Sequence, residues 1–169
     1  MKHLPRDDSF IRNFVFGVED SLVSTVGLLS GIVFAGVSRT DVIITGVILI
    51  FVEGFSMGVG SFLSEWSAEE YVLQHETNFR KSAKSAFVML ISYLVAGFIP
   101  LFPYFFVGGN KAIFISIPIS LVTLFFLGIG SGRFSKVNTL KDGLRMLIIG
   151  GLAIVIGVVV GKLVGYNSQ

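Results

Sequence analysis

Five long apolar stretches, separated by short polar ones, dominate the pattern of residues along the chain. Each stretch contains about 20 mostly apolar residues, the length that an α-helix needs to cross the hydrocarbon core of a bilayer. They cover residues 13–37, 41–64, 85–107, 112–131 and 144–164. The longest connection, residues 65–84, is predicted to begin as a helical continuation of the second span. The pattern therefore predicts an all-α membrane protein with five transmembrane helices, in which residues 1–169 form a single membrane domain.

The composition supports a membrane protein and excludes several kinds of site. Of the 169 residues, 53% are hydrophobic and 14% are charged, whereas soluble domains carry about 25% charged residues. The chain has no cysteine, which excludes disulfides, zinc–thiolate sites and iron–sulfur clusters. We find no nucleophile–base pair, no phosphate-binding loop and no histidine inside an apolar run. An enzyme, a permanently bound cofactor and a nucleic-acid partner are therefore not expected.

The distribution of Lys and Arg predicts the orientation in the membrane. Ten of these 13 residues lie on the side of the N-terminus: Lys2, Arg6, Arg12, Arg80, Lys81, Lys84, Arg133, Lys136, Lys141 and Arg145. Only Arg39, Lys111 and Lys162 lie on the other side. Because short cytoplasmic segments are rich in Lys and Arg, we expect a cytoplasmic N-terminus and a C-terminus on the opposite side.

Three carboxylates interrupt the first two apolar runs. Glu19 and Asp20 lie in the first and Glu53 lies in the second. An acid at membrane depth costs about 2.5–3.5 kcal/mol on insertion scales and usually faces a bundle interior, a cavity or an ion path. No basic residue lies at comparable depth, so these acids are either protonated or receive a cation from outside. Acids that exchange a proton for a metal ion have the chemistry of an antiporter.

The neighbours of these acids suggest ligands and leave alternatives open. Glu53 and Met57 are four residues apart and share a helix face. A carboxylate suits Mn²⁺ and Fe²⁺, and a thioether adds softness. Apolar packing is the commoner role for a lone methionine, and a protonated Glu53 that hydrogen-bonds another helix is an equal alternative. Glu19 points about 100° away from Asp20 around the helix, so we expect Glu19 to reach the interface instead of sharing one small site.

Further acidic residues follow the second run: Glu65, Glu69, Glu70 and Glu76, with His75 among them. Such a group can collect cations at a cytoplasmic mouth, but a solvated helix face is the more common role and is expected for most of them. Glycines at GxxxG spacing occur in the first and last spans, at Gly27, Gly31, Gly157, Gly161 and Gly165. Small residues at this spacing let helices approach closely in lipid, so tight packing is predicted, and a homodimer is compatible with it.

Three segments carry a family resemblance. FGVEDSLVSTVGLLSG at residues 16–31 resembles the first helix of the vacuolar iron transporter (VIT) family, and EGFSMGVGSFLSE at residues 53–65 resembles its second helix. PLFPY at residues 100–104 resembles the family's third-helix proline motif. The resemblance implies a homodimer that moves Fe²⁺ or Mn²⁺ out of the cytosol, usually in exchange for protons.

The resemblance also implies roles for individual residues. Asp20 and Met57 match residues that line the translocation path at the dimer interface. Glu53 matches a further contributing Glu, although it lies one helical turn closer to the methionine than in plant members. Plant members carry a long Glu-rich helical insert between the second and third helices that binds metal. Here the connection is short, so we expect that domain to be absent or reduced to a weak version at Glu65, Glu69 and Glu70.

These observations predict a compact, prokaryotic-type transporter in the cell membrane that exports Fe²⁺ or Mn²⁺ by proton antiport. Asp20 is predicted to coordinate the metal or carry a proton-coupled step, and Met57 to disfavour Mg²⁺. Glu53 is predicted to be a second ligand or the proton acceptor. The alternatives are a proton-coupled transporter of another cation and a non-transporting membrane scaffold whose acids are protonated.

Overall fold

A computed structural model describes residues 6–73, 79–134 and 138–166, and these parts of the chain form five long α-helices. The helices are α1 (Arg6–Phe34), α2 (Arg39–Leu73), α3 (Phe79–Phe106), α4 (Gly109–Phe134) and α5 (Thr139–Tyr166). All five are long and apolar enough to cross a membrane. The prediction of five helices able to span a membrane is confirmed. Each helix begins before the predicted run, but α1 ends at Phe34 and α3 at Phe106, short of the predicted limits at residues 37 and 107. The helical continuation of the second span is also confirmed, since α2 ends at Leu73.

Successive helices run antiparallel. The start of α1 contacts the end of α2 through Asn13 and Glu65, and the start of α2 contacts the end of α3 through Arg39 and Tyr104. We call the end of the bundle where α1 begins the N-terminal end, and the other the far end. Helix α1 packs against all four other helices and is the most buried span, whereas α5 is the least buried. Helix α1 is therefore central to the bundle.

Helices α1 and α5 run parallel and meet backbone to backbone along a line of glycines. A Cβ atom built on Gly31 would lie 2.7 Å from the carbonyl oxygen of Gly157, and one built on Gly27 would lie 3.2 Å from that of Ala153. Cβ atoms built on Gly157 and Gly161 would overlap the carbonyl oxygens of Gly27 and Gly31. The tight packing predicted from the GxxxG spacing is confirmed, and it occurs inside one chain. We call this contact the glycine seam.

The far end is fixed by a turn and by an arginine. Gly36, with φ of 83°, ends α1 in a left-handed conformation that favours glycine. Helix α2 then begins at Arg39, whose guanidinium donates to the carbonyl oxygens of Tyr104 at 2.7 Å and Phe105 at 2.5 Å. These carbonyls belong to the last turn of α3, where they have no partner within the helix. Arg39 therefore ties the start of α2 to the end of α3.

The outward side of α2 carries large apolar side chains. Val52 is 62% exposed and Phe55 is 66% exposed, and Ile44, Ile48 and Phe51 are also exposed. A soluble monomer rarely exposes an apolar face of this extent. In a bilayer such a face contacts lipid or another membrane protein, which agrees with five spanning helices.

Candidate functional site

Tyr93 joins α1, α2 and α3 near the middle of the bundle. Its hydroxyl donates a hydrogen bond to the carboxylate of Glu53 on α2. The same hydroxyl lies 2.7 Å from the Ser24 hydroxyl on α1. Since the single proton of Tyr93 goes to Glu53, Ser24 donates to Tyr93. The Ser21 hydroxyl donates to the Tyr93 carbonyl oxygen at 2.6 Å, which fixes the height of α3 against α1.

Asp20 belongs to the same group of polar residues. Its carboxylate is half-buried and interacts electrostatically with both Glu53 and Tyr93. We call Asp20, Ser24, Glu53 and Tyr93 the membrane cluster. Glu19 is also half-buried, but its electrostatic partner is Asp20 alone. Both residues lie in α1, so their side chains leave the helix about 100° apart, whereas the expectation that Glu19 reaches the interface stays a prediction.

The membrane cluster contains two acids: Asp20 lies one helical turn from Ser24 on α1, and the Tyr93 hydroxyl joins Ser24 to Glu53. Among the residues that the structure describes, no Lys or Arg forms an ion pair with either Asp20 or Glu53. Two carboxylates in a poorly solvated region attract a dication strongly, because it neutralises both charges at once. The arrangement can therefore bind a divalent cation or hold protons in its place.

Met57 lies one turn along α2 from Glu53, towards the N-terminal end, and faces a cavity of about 390 Å³. We call this the mouth cavity. It is lined by Arg12, Asn13, Phe16, Met57, Gly60, Ser61, Ser64, Glu65 and Met89. The Ser61 hydroxyl is buried and has no hydrogen-bond partner within the described parts of the chain. Two methionines, one from α2 and one from α3, therefore line one cavity together with polar residues.

Glu65 closes the outer edge of the mouth cavity. The Asn13 side-chain amide donates to Glu65 Oε1 at 2.9 Å, and Arg12 Nη2 lies 3.6 Å from the same oxygen. The Glu65 side chain is only 11% exposed, whereas that of Arg12 is 69% exposed. Glu65 is thus an exception to the solvated helix face that we expected for most of these acids.

The remaining acids at this end bind local partners. Glu69 forms an ion pair with Lys81 at the start of α3. Glu70 accepts a hydrogen bond from the Trp66 indole at 2.7 Å. Neither Glu69 nor Glu70 lines the mouth cavity. His75 and Glu76 lie outside the described residues.

The structure therefore places Asp20 and Glu53 in one polar group and Met57 in the adjacent cavity. The described residues contain no group of three or more His, Asp or Glu side chains that could hold a metal ion. One chain thus supplies two carboxylates and a nearby thioether, fewer donors than a complete coordination sphere. Further ligands must come from hydroxyls, water or another chain.

The sequence reasoning missed Tyr93, Met89 and Asn13. Tyr93 follows Ser92 in a span without charge, and a hydroxyl at membrane depth needs a hydrogen-bond partner. That requirement could have identified Tyr93 as a partner for one of the acids. Met89 lies one turn from Tyr93 on the same helix face, so locating Tyr93 would also have pointed to Met89.

Known proteins match most of the chain. A family model described as the VIT family matches residues 11–80 and 69–162. Vacuolar iron transporter 1 of Tulipa gesneriana is 22% identical, with 90% of this chain and 85% of that protein covered. The vacuolar iron transporter of Plasmodium berghei is 24% identical, with 99% and 86% covered. Vacuolar iron transporter homolog 3 of Arabidopsis thaliana is 28% identical, with 95% and 86% covered.

The alignments also bear on the compact form of the chain. The alignment with the tulip protein extends over 212 residues, more than the 169 residues of this chain. That relative therefore contains residues without a counterpart here, whereas the alignment with homolog 3 extends over only 174 residues. The two segments matched by the family model meet at the α2–α3 connection. Since that model covers most of the sequence on both sides of this connection, the chain belongs to the VIT family.

Proposed function

We propose that this protein exports Fe²⁺ or Mn²⁺ from the cytosol in exchange for protons, and that the membrane cluster carries the ion. The observation behind the proposal is the placement of Asp20 and Glu53 in one polar group at membrane depth, where neither forms an ion pair with a Lys or Arg of the described residues. Relatives that cover most of the chain are named vacuolar iron transporters. Those names favour transport over catalysis.

In this mechanism Asp20 and Glu53 exchange protons for a dication. With both groups ionised, repulsion between them favours a metal ion that neutralises both. Release towards the far side is followed by protonation, which removes the attraction and resets the site. Tyr93 holds the Glu53 carboxylate by a hydrogen bond, so it positions one ligand relative to the other. Glu19, beside Asp20, is a candidate for the proton path.

Met57 would select among cations at the approach to the cluster. Mg²⁺ is a hard ion that prefers oxygen ligands and gives up its water reluctantly. A thioether binds such an ion weakly, whereas Fe²⁺ accepts softer donors. Met57 faces the mouth cavity one turn from Glu53, so a metal ion passes it before reaching the acids.

We further propose that the working unit is a homodimer. One chain brings too few acidic ligands together for a complete site, and the apolar outer side of α2 is exposed. Pairing two chains along α2 would bring two copies of Glu53 and Met57 close to each other. The basic residues at the N-terminal end favour a cytoplasmic location for that end. The proposed location is a prokaryotic cell membrane.

The test is metal flux into proteoliposomes, measured separately with Mn²⁺ and Fe²⁺, with a pH dye inside the vesicles to follow protons. Asp20→Asn keeps the size of the side chain and removes its charge, so flux should fall by about 10–100-fold. Tyr93→Phe should lower flux by about tenfold, because Glu53 loses a hydrogen bond worth roughly 1.5 kcal/mol. Asp41→Asn is the matched control, since Asp41 is exposed at the far end and should leave flux unchanged.

The outcomes separate the proposal from its rivals. If Asp20→Asn transports both metals at the original rate, the assignment of the path is wrong. Flux of an organic cation that Mn²⁺ does not inhibit would favour a different transporter class. A protein that moves no cation, and whose thermal stability does not respond to metal, would be a scaffold, since a ligand stabilises the state that binds it. Metal flux without a change in internal pH would exclude antiport.

A further inference from the structure

The mouth cavity combines donors of two chemical kinds at a distance from the membrane cluster. Met57 and Met89 line it from two helices, Met89 with only 2% of its surface exposed, and Glu65 supplies a carboxylate. Ser61 also lines this space, although its hydroxyl is itself enclosed and has no hydrogen-bond partner among the described residues. Glu65 lies 12 residues along α2 from Glu53, which corresponds to roughly 18 Å of helix. The end of the cavity at Glu65 is therefore separate from the membrane cluster, whereas Met57 lies one turn from Glu53.

We propose that the mouth cavity is a loading site for a divalent transition metal, and that Arg12 is a built-in counter-ion which occupies Glu65 until the metal displaces it. This proposal rests on the proposed transport function, because it describes how the ion reaches the membrane cluster. Carboxylate, amide and hydroxyl oxygens suit Mn²⁺ and Fe²⁺, and two thioethers add affinity for the softer ions.

The contacts of Glu65 explain why it needs a positive partner. Its side chain is 11% exposed, so it has lost most of its water, and the Asn13 amide replaces only part of that hydration. Arg12 lies at 3.6 Å, longer than a direct charged hydrogen bond, and its own side chain is 69% exposed. Glu65 is therefore held firmly, whereas Arg12 is held weakly.

This asymmetry makes Arg12 easy to displace. The exposed guanidinium leaves for water with little desolvation, and an ion pair whose cation stays in water contributes only about 0–1 kcal/mol. A dication in the cavity attracts Glu65 more strongly than a monovalent guanidinium and repels Arg12 at the same time. Arg12 moves out to solvent, and the metal gains the oxygens and thioethers that the guanidinium never used.

Met89 is the second methionine of the proposed site, and packing against α1 holds its side chain in position. A Cβ atom built on Gly17 would lie 3.1 Å from the Met89 sulfur, so this sulfur packs directly against the backbone of α1. Replacing Met89 with Leu keeps an apolar side chain of similar volume and removes only the sulfur. Co²⁺ lies above Mn²⁺ in the affinity order of divalent metals, so losing a thioether should weaken Co²⁺ binding more than Mn²⁺ binding.

The experiment measures Mn²⁺ binding to the full chain in nanodiscs of zwitterionic lipid, with free Mn²⁺ read by electron paramagnetic resonance. An Asp20→Asn background weakens the membrane cluster, so the remaining binding reports the mouth cavity. In that background Arg12→Gln should tighten Mn²⁺ binding by about two- to fivefold, the equivalent of one exposed ion pair. Glu65→Gln should abolish the binding. Met89→Leu should weaken Co²⁺ binding by a larger factor than Mn²⁺ binding.

The chain offers a closely matched control. Arg145 lies 3.5 Å from Asp142 at the start of α5, with side-chain exposures of 75% and 21%, so Arg145→Gln removes a similar pair outside the cavity and should leave Mn²⁺ affinity unchanged. Arg12→Lys keeps the charge and should also leave it unchanged. An Arg12→Gln chain that binds Mn²⁺ no more tightly, or no more tightly than Arg145→Gln, overturns the proposal. So does undiminished binding by Glu65→Gln.

The loading site and the proposed function fail in different ways. If Asp20→Asn blocks flux but Arg12→Gln leaves Mn²⁺ affinity unchanged, transport stands and the counter-ion role of Arg12 is wrong. If the Arg12 and Glu65 results are as expected but Asp20→Asn still transports metal, the mouth site stands and the membrane cluster is not the path.

Discussion

The glycine seam allows a graded test of the packing between α1 and α5. The perturbation is Gly161→Ala, which adds one methyl group where α5 meets the carbonyl oxygen of Gly31. That neighbour is backbone, so it cannot rotate away as a flexible side chain would. The two helices must separate, and the separation affects every contact along the seam.

The expected magnitude follows from the distances. At Gly31 the added Cβ would lie 2.7 Å from the Gly157 oxygen, whereas ordinary contact begins at 3.4 Å, so the helices would separate by roughly 0.7 Å, where repulsion is steep. The overlap at Gly161 is greater. Overpacking of this kind costs about 1–3 kcal/mol. We therefore expect the loss of stability to be smallest for Gly27→Ala, larger for Gly31→Ala and largest for Gly161→Ala.

The control is Gly151→Ala on the same helix, where an added Cβ would have no neighbour within 4 Å. This variant gains about 1 kcal/mol of helix propensity from the change of Gly to Ala, but its new methyl group overlaps no atom of α1. The assay is unfolding in mixed detergent micelles with rising SDS, followed by the fluorescence of Trp66, the one tryptophan in the sequence. If Gly161→Ala and Gly151→Ala unfolded at the same SDS concentration, the close packing at the glycine seam would be refuted.

Two further predictions concern the far end and the orientation. Arg39→Gln removes two hydrogen bonds to the last turn of α3 and should lower the free energy of unfolding by about 1–2 kcal/mol. Lys111→Gln, an exposed change at the same end, should not, and equal effects in the same SDS assay would contradict the role of Arg39. Because the chain has no cysteine, Arg133→Cys and Lys111→Cys can each serve as a single label. In intact cells an impermeant maleimide should label only Lys111→Cys, and labelling of only Arg133→Cys would reverse the proposed orientation.

The number and approximate limits of the helices could be predicted from the sequence because a spanning helix must satisfy its backbone within one apolar segment. The angle between Glu19 and Asp20 could be predicted for a similar reason, since helix geometry fixes it. Both depend on one helix alone. The continuation of α2 to Leu73 could be predicted for the same reason, since it also depends on a single helix.

The contacts between helices could not be predicted in this way. In lipid both the buried and the exposed sides of a helix are apolar, so periodicity gives little sign of which side faces inward. The placement of Tyr93 beside Glu53, and of Met89 in the cavity with Met57, depends on the rotation and height of α3 relative to α2. The GxxxG spacing indicated close packing but not its partner, which the structure identifies as another helix of the same chain.

The glycine seam also determines where the protein can be altered for study. A fluorophore, a crosslinker or a fused binding domain needs an attachment point that accepts extra bulk. The side of α5 opposite the seam offers such points, since Val155 and Ile156 are exposed and fluid acyl chains can rearrange around a larger group. At Gly157 and Gly161 the space is filled by peptide groups of α1, so probes belong on the lipid-facing side of the helix.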